Sequence, residues 1–298
     1  MKKYFSEAHI RTASALKFVF LAKFYGGNKK YLNEHLPLSI KHLPLDCVRR
    51  PRQIISMLFF AALVLSAALN AQTPSGSEIL ANIDQNIRAA NRVSTSRMII
   101  HGRRASRTIT ARSWVQGMKK SFTEYLAPPR DQGTKMLKLE DELWTYSPTT
   151  DRTIKISGHM LRQSVMGSDL SYEDYMEDPE LSKMYDAEVV GAEPIGDRAC
   201  WVLSLTARNA DVAYHSRKIW VDKERYLPLR EERFAKSGKL LKTTEILEVM
   251  YQQDRWVVKH IRFKDVLKNG EGTELWIDEI EYDVDIPEYR FSKAALRK

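Results

Sequence analysis

Residues 199–207 read ACWVLSLTA, and this stretch indicates how most of the chain folds. Trp201, Leu203 and Leu205 would lie on one face of an extended strand, with the intervening side chains on the other face. Similar short segments recur along the chain after residue 94. The candidate strands, about a dozen, are TSRMIIHG, RTITARSWVQG, KKSFTEYLA, TKMLKLE, ELWTYS, RTIKIS, AEVVGAE, ACWVLSLTA, SRKIWVD, LPLREERF, LLKTTEILEVMY, RWVVKHIRF and TELWIDEIEY.

The spacing of these segments predicts how the strands connect. Turn residues such as Gly196-Asp197 and Asn269-Gly270 lie between them, and the gaps are too short for crossover helices. The sheet should therefore be antiparallel and meandering. About a dozen twisted strands curl toward a barrel or half-barrel that is wide enough to hold a ligand. We expect a mainly β fold with a few helices, built on an antiparallel barrel or half-barrel.

One helix precedes the strands. In SEILANIDQNIRAANR, which starts at residue 77, apolar residues recur at helical spacing, and Ser77 can cap the first turn. The segment predicts one amphipathic helix.

A second irregular segment interrupts the strand series at residues 160–180, MLRQSVMGSDLSYEDYMEDPE. Its first half places Met160, Leu161, Val165 and Met166 on roughly one helical side before a glycine ends the run. Two short helical turns inserted midway through a meander predict a flap that crosses the sheet.

The second half of this segment is acidic. Ser171 followed by Asp174 is a capping-box pattern that starts a short helix, and Pro179 ends it. The spacing lacks the ligand positions and the glycine of an EF-hand loop, so a calcium site is not expected. We expect the carboxylates to form the solvated outer side of a cover whose inner side is apolar. They are Asp169, Glu173, Asp174, Glu177, Asp178 and Glu180.

The run VRRPRQIISMLFFAALVLSAALNA has the layout of a signal peptide over residues 48–71. Its apolar part is shorter than the roughly 20 residues of a spanning helix. Cleavage near Ala71 would leave residues 72–298 as a single exported domain; an uncleaved anchor is the alternative. Residues 1–47 fit badly ahead of a signal peptide, so we expect either an extended leader or a translation start near Val48.

Charge and cysteine content narrow the function classes. The net charge is +9, but residues 1–71 hold 11 of the 47 basic and 3 of the 38 acidic residues, which leaves the remainder nearly neutral. Nucleic acid is therefore not an expected partner. After cleavage only Cys200 would remain, so we expect no disulfide, and in its apolar strand this thiol should be a small buried hydrophobe.

Catalytic, metal and cofactor motifs are not evident. The histidines after residue 71, at positions 101, 159, 215 and 260, are isolated from one another and from any cysteine pair. The sequence contains no nucleophile elbow, phosphate-binding glycine loop or dinucleotide fingerprint. Distant strands could still bring two carboxylates together. We expect no catalytic residues, no metal and no cofactor.

Residues 101–107, HGRRASR, form the only tight cationic cluster after the signal peptide. One interpretation is a polar hairpin tip. The other is contact with lipid headgroups or with an acidic partner protein.

Taken together, these segments resemble the outer membrane lipoprotein-sorting proteins, which are LolA-like periplasmic carriers, in a less-characterised branch. The similarity covers about residues 77–298, from ILANIDQNIRA through TYSPTTDRTIKISG to IWVDKERYLPLREERFAKSGKLLKT. Its most specific part is MGSDLSYEDY, within RQSVMGSDLSYEDY.

The resemblance implies an open barrel of about eleven strands whose mouth is closed by helices, and an apolar cavity that holds acyl chains. On this basis we expect a monomeric periplasmic carrier of lipoproteins or lipids for the outer membrane, without covalent chemistry. An inner-membrane exporter is a further candidate partner. Two alternatives remain open: a lipid-sensing regulator or accessory protein of an envelope lipid exporter, and an enzyme acting on an envelope lipid.

The residues expected to face the ligand are apolar side chains of the flap and of several strands. Methionine suits such a surface because it adapts to chains of variable shape; the tryptophans could equally be core filler. The flap residues are Met160, Leu161, Val165, Met166 and Tyr172, and the strand residues are Trp144, Tyr146, Trp201, Leu203, Trp220 and Trp276.

Overall fold

The structure is a computed structural model that describes residues 73–87, 91–177, 180–210 and 212–298. All of them belong to one unit, Thr73–Lys298. The predicted leader, signal peptide and cleavage site lie outside the described residues. Within the described part of the chain, no helix is both long and apolar enough to cross a bilayer.

Thirteen strands form one antiparallel sheet in the order β6-β5-β4-β3-β2-β1-β13-β12-β11-β10-β9-β8-β7. Each predicted strand segment forms one strand of this sheet. The strands are β1 (Asn91–His101), β2 (Ser106–Gln116), β3 (Lys120–Ala127), β4 (Lys135–Leu139), β5 (Glu142–Ser147), β6 (Arg152–Ile156), β7 (Tyr185–Ile195), β8 (Arg198–Ala207), β9 (Ser216–Asp222), β10 (Pro228–Phe234), β11 (Leu240–Gln252), β12 (Arg255–Asp265) and β13 (Gly272–Tyr282).

The strand order explains the place of the flap. The chain enters the sheet at its centre with β1, runs outward to the edge strand β6, and resumes at the opposite edge with β7. Residues 157–184, which we call the flap, join these two edges. The remaining strands return until β13 pairs with β1, and the sheet stays open. The predicted fold class is confirmed, with thirteen strands where the resemblance implies about eleven.

Helices and 3-10 turns are few. The helices are α1 (Gly76–Ile87), α2 (Tyr172–Met176) and α3 (Leu181–Met184), and the 3-10 turns are Gly158–Arg162, Val165–Gly167, Glu288–Phe291 and Lys293–Arg297. The amphipathic helix before the strands is confirmed as α1, and the capped second turn of residues 160–180 is confirmed as α2. The predicted first turn is instead split into two 3-10 turns, because Gln163 and Ser164 between them are extended.

The predicted cap of α1 is wrong by two residues, because the helix begins earlier than Ser77. The Glu78 backbone N–H donates to the Ser75 hydroxyl at 3.2 Å, and the Glu78 carboxylate accepts from the Ser75 N–H at 2.7 Å. This is a reciprocal capping box. The helix then starts at Gly76, where a Cβ atom would lie 2.4 Å from the Ala187 carbonyl oxygen, so only glycine fits this approach to the sheet.

The two faces of the sheet carry different covers. We call the face beneath the flap the flap face and the opposite one the reverse face. Because paired residues share a face, the flap face can be followed across the strands. It carries Leu203, Ile219, Glu231, Thr244, Phe263, Thr273 and Ile100, each paired with the next.

Apolar clusters fix these covers to the sheet. On the flap face, Ile79, Leu80 and Ile83 of α1 pack against β8 and β9. On the reverse face, Phe291 and Leu296 of the C-terminal turns pack against β3, β4 and β5. Cys200 is almost fully buried, as predicted, and burial raises the pKa of its thiol, which keeps it protonated.

Candidate functional site

The apolar half of the flap packs on the flap face of strands β1 to β6. Val165 is buried there, whereas Met160, Leu161 and Met166 are only partly buried. Together these four side chains close over an apolar surface of the sheet. That surface, the flap cluster, consists of Met98, Ile109, Ala111, Tyr125, Met136, Leu143 and Ile156.

Helix α2 extends this contact with two tyrosines. Tyr172 packs partly buried against the flap cluster, and burial raises the pKa of its phenol. The Tyr175 hydroxyl lies 2.9 Å from the Ser121 hydroxyl and 3.2 Å from the Thr123 hydroxyl of β3. The inner side of the flap is therefore apolar, with a few hydroxyl contacts at its margin.

A left-handed turn follows the first half of the flap. Met166 has φ 51° and Gly167 has φ 77°, which reverses the chain between the two halves. The Arg107 guanidinium of β2 donates a hydrogen bond to the Met166 carbonyl oxygen. The last arginine of the HGRRASR cluster thus contacts the flap. This contact could not be predicted from local sequence patterns, because the two residues lie 59 positions apart.

The acidic half of the flap differs from the prediction. The capping box of α2 is confirmed: Ser171 accepts from the Asp174 backbone N–H, and the Asp174 carboxylate accepts from the Ser171 N–H at 2.7 Å. The expected solvated outer side is wrong, however, because Asp169, Asp174 and Glu177 turn toward the sheet. The buried carboxylates are Asp169, Asp174, Glu177 and Glu180, whose side chains are 9%, 4%, 14% and 6% exposed. Asp178 lies outside the described residues.

The reason is a group of cations on the flap face beneath α2. Asp174 lies 3.1 Å from the Arg233 guanidinium of β10 and also pairs with the Lys242 ammonium of β11. Glu177 pairs with the Arg217 guanidinium of β9. We call these five residues the flap ion cluster. A buried carboxylate needs such partners, since leaving it unpaired costs several kcal/mol.

Two further residues complete the surroundings of this cluster. The Tyr214 hydroxyl donates to Asp174 at 2.5 Å. Glu231 of β10 accepts from Arg217 at 2.6 Å and from Arg233 at 2.8 Å. Each arginine is thereby shared between a flap carboxylate and the sheet carboxylate Glu231, so Glu231 orients both guanidinium groups toward the flap.

The pKa values follow from these contacts. Burial raises the pKa of Asp174, but Lys242 and Arg233 together lower it to about 2. Burial likewise raises the pKa of Glu231, but Arg233 and Arg217 together lower it to about 2. For Glu177, burial outweighs Arg217 and the pKa is raised. Both Asp174 and Glu231 therefore stay charged at neutral pH: Asp174 pairs the flap with Arg233 and Lys242, and Glu231 holds Arg217 and Arg233 in place.

A second polar anchor joins the flap to the hairpin between β12 and β13. The Thr273 hydroxyl donates to the Asp169 carboxylate at 2.8 Å, and the Asp265 backbone N–H donates to it at 2.9 Å. The Lys268 ammonium lies 2.5 Å from both the Ser164 hydroxyl and the Ser168 carbonyl oxygen. Polar contacts therefore hold the flap along most of its length.

The predicted ligand-facing residues divide into two groups. The five flap residues come together on the flap cluster. Trp201 and Leu203 lie on the flap face as well, but beneath α1. Trp144 and Tyr146 pack with the C-terminal turns on the reverse face. The structure does not bring these four strand residues to the flap, and their ligand role stays a prediction.

The last two candidates also lie away from the flap. Trp220 alternates with the flap-face residues of β9, so it faces the reverse side, where its indole N–H donates to Glu193 at 2.8 Å. The Trp276 ring stacks on His260 with 3.6 Å between centroids. Alternation along the strands places Trp220 and Trp276 on the face opposite Leu203 and Leu275. This assignment requires the pairing register between strands, which the sequence alone does not provide.

One open cleft lies elsewhere on the molecule. It has a volume of about 480 Å³ and lies between the start of β1, the β11–β12 turn and the end of β13. No flap residue lines it. Its lining is mostly polar, with Arg112, Gln252, Gln253, Glu279 and Glu281 among the contributors.

Among the described residues, no group of three or more His, Cys, Asp or Glu side chains is arranged to hold a metal ion.

Comparisons with known proteins agree with this architecture. A family model with the description "Uncharacterized protein" matches residues 117–298. The search of curated proteins finds no match. Among solved structures, a DUF1329 family protein from Desulfovibrio piger is 24% identical with a TM-score of 0.69, over 74% of this chain and 97% of that one.

Two other solved structures are similar over the same part of the chain. A putative outer membrane lipoprotein-sorting protein domain from Vibrio parahaemolyticus is 23% identical with a TM-score of 0.67, over 75% of this chain and 98% of that one. A LolA superfamily protein from Nitrosomonas europaea is 22% identical with a TM-score of 0.61, over 75% and 100%. The chain belongs to the family that the matching model defines, and its fold is that of the LolA-like proteins, which confirms the resemblance.

Proposed function

We propose that the protein is a periplasmic carrier that binds acyl chains of lipoproteins or lipids for transfer to the outer membrane. The binding site lies between the apolar half of the flap and the flap cluster. One observation carries the proposal: Met160, Leu161 and Met166 close an apolar surface but remain partly exposed, while ion pairs and hydrogen bonds from other flap residues hold the flap on the sheet.

An acyl chain would take the place of these flap side chains. Burial of a methylene group contributes about 0.8 kcal/mol, so a chain of a dozen carbons contributes roughly 10 kcal/mol, and its net affinity is this gain minus the flap contacts that it displaces. Methionine side chains adapt to chains of different shape. Of the predicted ligand-facing residues, the proposal retains Met160, Leu161, Val165, Met166 and Tyr172.

Two strongly paired carboxylates near the site, Asp174 and Glu231, favour a carrier over an enzyme. General acid–base catalysis requires a group whose pKa lies near the working pH. Asp174 and Glu231 have pKa values of about 2, and each contacts two cations. Such carboxylates do not exchange protons at neutral pH. The proposal therefore assigns them to holding the flap closed, and lipid transfer needs no covalent chemistry.

The names of similar structures point the same way. One is described as a putative outer membrane lipoprotein-sorting domain and another as a LolA superfamily protein. A role in the envelope also agrees with the signal peptide expected at residues 48–71. The cargo class follows from the apolar site, whereas the destination rests on these relatives.

The proposal is tested by substitution of Met166 with aspartate. Aspartate is among the residues that tolerate the left-handed conformation found at Met166, so the backbone is not strained. Native mass spectrometry of the purified wild-type protein should detect bound lipid that organic solvent extracts. Met166→Asp should lose this lipid while the circular dichroism spectrum stays native.

A matched control is Leu247→Asp, since Leu247 is an exposed apolar residue outside the flap cluster, with 42% of its surface accessible. It should retain bound lipid. Wild-type protein without lipid in native mass spectra, and without uptake of a fluorescent fatty acid, would contradict the proposal. Equal lipid loading of Met166→Asp and wild type would remove the flap from the binding site.

A further inference from the structure

Three neighbouring turns at one end of the sheet form a distinct surface, which we call the tip surface. They connect β1 to β2, β10 to β11 and β12 to β13. A Cβ atom at Gly270 would lie 2.8 Å from the His101 carbonyl oxygen, and the Val266 N–H donates to the Leu241 carbonyl at 3.0 Å. These contacts place the β12–β13 turn directly between the other two.

The central turn of the tip surface carries two adjacent exposed aliphatic side chains. Val266 is 38% exposed and Leu267 is 60% exposed. Leu267 is the most exposed of the large apolar side chains in the described part of the chain. An isolated exposed leucine is common on protein surfaces. Val266 and Leu267 are adjacent, however, and together form a small exposed apolar patch on this turn.

Basic side chains flank this apolar patch on both sides. Arg103 and Arg104 on one side, and Lys236 and Lys239 on the other, are exposed, and none of the four has an ion-pair partner among residues 73–87, 91–177, 180–210 and 212–298. The nearby carboxylates are Glu271, which is exposed, and Asp265, which is partly buried and lies 3.9 Å from the Lys268 ammonium. The tip surface therefore has a cationic excess that its own acids do not neutralise.

From this arrangement we infer that the tip surface docks the protein on an anionic lipid bilayer, with Val266 and Leu267 entering the headgroup region. Basic side chains near a membrane surface are attracted by anionic lipids, and apolar side chains between them add burial at the interface. Two aliphatic side chains on a turn offer far less than the roughly 800 Å² per partner of a stable protein interface. They suffice for reversible contact with a bilayer.

The docking turn is also the turn that anchors the flap. Lys268 contacts Ser164 and Ser168, and the Asp265 backbone contacts Asp169. A bilayer at the tip surface would therefore lie beside the flap. The inference concerns bilayer binding alone and does not depend on the acyl-chain site.

The test is sedimentation of the purified protein with phosphatidylcholine vesicles, with and without phosphatidylglycerol. The wild type should bind the anionic vesicles and bind neutral ones much more weakly. Replacing Lys236 and Lys239 together by glutamine should weaken binding about 25-fold, since each surface cation contributes about fivefold. Leu267→Asp should weaken it at least tenfold, whereas Leu247→Asp should bind like the wild type.

Three results would overturn this inference: no sedimentation with anionic vesicles, equal binding to both vesicle types, or unchanged binding of both tip variants. Failure of vesicle binding together with crosslinking of Lys236 or Lys239 to an acidic envelope protein would replace the bilayer by a protein partner. Because the readout uses vesicles and not bound lipid, such failure would leave the carrier proposal standing.

Discussion

Two covers lie on the same face of the sheet, and different forces hold them. Helix α1 buries Ile79, Leu80 and Ile83 almost completely, each with at most 1% exposure. The flap buries only Val165 to a comparable degree among its apolar residues and relies on the flap ion cluster. Helix α1 is therefore held by apolar packing, whereas the flap is held mainly by polar contacts above an apolar surface.

The difference indicates which cover can move. Burial of apolar surface is non-directional and favourable at roughly 25 cal/mol per Å², so α1 gains nothing by leaving the sheet. A buried ion pair contributes little net free energy, because desolvation of both charges offsets their attraction. Open and closed positions of the flap should therefore differ by a small free energy, and we expect α1 to be fixed and the flap to open.

The largest predicted effect concerns α1. Leu80→Ala should lower the free energy of unfolding by about 4 kcal/mol, because it leaves a cavity beneath a helix that relaxes little. Urea denaturation measures this loss. Gln85→Ala on the exposed side of the same helix should change the free energy by less than about 0.5 kcal/mol. Equal effects of the two substitutions on the free energy of unfolding would mean that apolar burial does not hold α1 on the sheet.

The next effect concerns the flap alone. Asp174→Asn leaves Arg233 and Lys242 without their shared carboxylate, and we expect the free energy of flap opening to fall by about 3 kcal/mol. Hydrogen exchange should show faster exchange in α2 and unchanged protection in α1. The matched control is Glu173→Gln, since Glu173 lies on the same short helix and makes no ion pair within the described residues.

Equal loss of protection in α1 and α2 after Asp174→Asn would contradict the comparison. It would mean that both covers open only with the whole sheet. Unchanged exchange in α2 would assign the closure to the apolar half of the flap instead. Either outcome can be distinguished from misfolding, because the amides of the central strands β1 and β13 report global stability in the same experiment.

The sequence predicted the architecture well because its signals are local. Short strand-like stretches, of which ACWVLSLTA alternates most clearly, recur at close intervals and so predicted a meander. Ser171 and Asp174 lie three positions apart, so the start of α2 was also visible. These features depend on neighbours in the chain.

The orientation of the flap carboxylates could not be predicted in this way. The cations that draw them inward lie 40 to 68 positions later, on β9, β10 and β11. A strand pattern tells which residues share a face, but not which segment covers that face. The same limit applies to Trp144 and Tyr146, since the C-terminal residues that pack on them, from Phe291 to Leu296, lie far along the chain.

The smallest predicted effect is a pH dependence carried by the flap ion cluster and its neighbour Glu231. The folded-state pKa values of Asp174 and Glu231, both about 2, lie below their usual values. Their stabilisation is therefore complete above about pH 4.5 and is lost as the pH falls toward 2. Glu177 acts in the opposite direction, because its raised pKa favours the protonated form in the folded protein.

Urea denaturation between pH 5 and pH 2.5 tests this sign. The wild type should lose about 2 kcal/mol more than Asp174→Asn over this range, because the variant has no carboxylate to protonate at this position. Leu80→Ala should keep the slope of the wild type, since it removes apolar contacts and no titrating group. If Leu80→Ala and Asp174→Asn instead changed the slope equally, acid would act on the fold as a whole. If only Asp174→Asn changes the pH dependence of the free energy of unfolding, protonation acts on the flap. The ion pairs of Asp174 then hold the flap over its apolar lining.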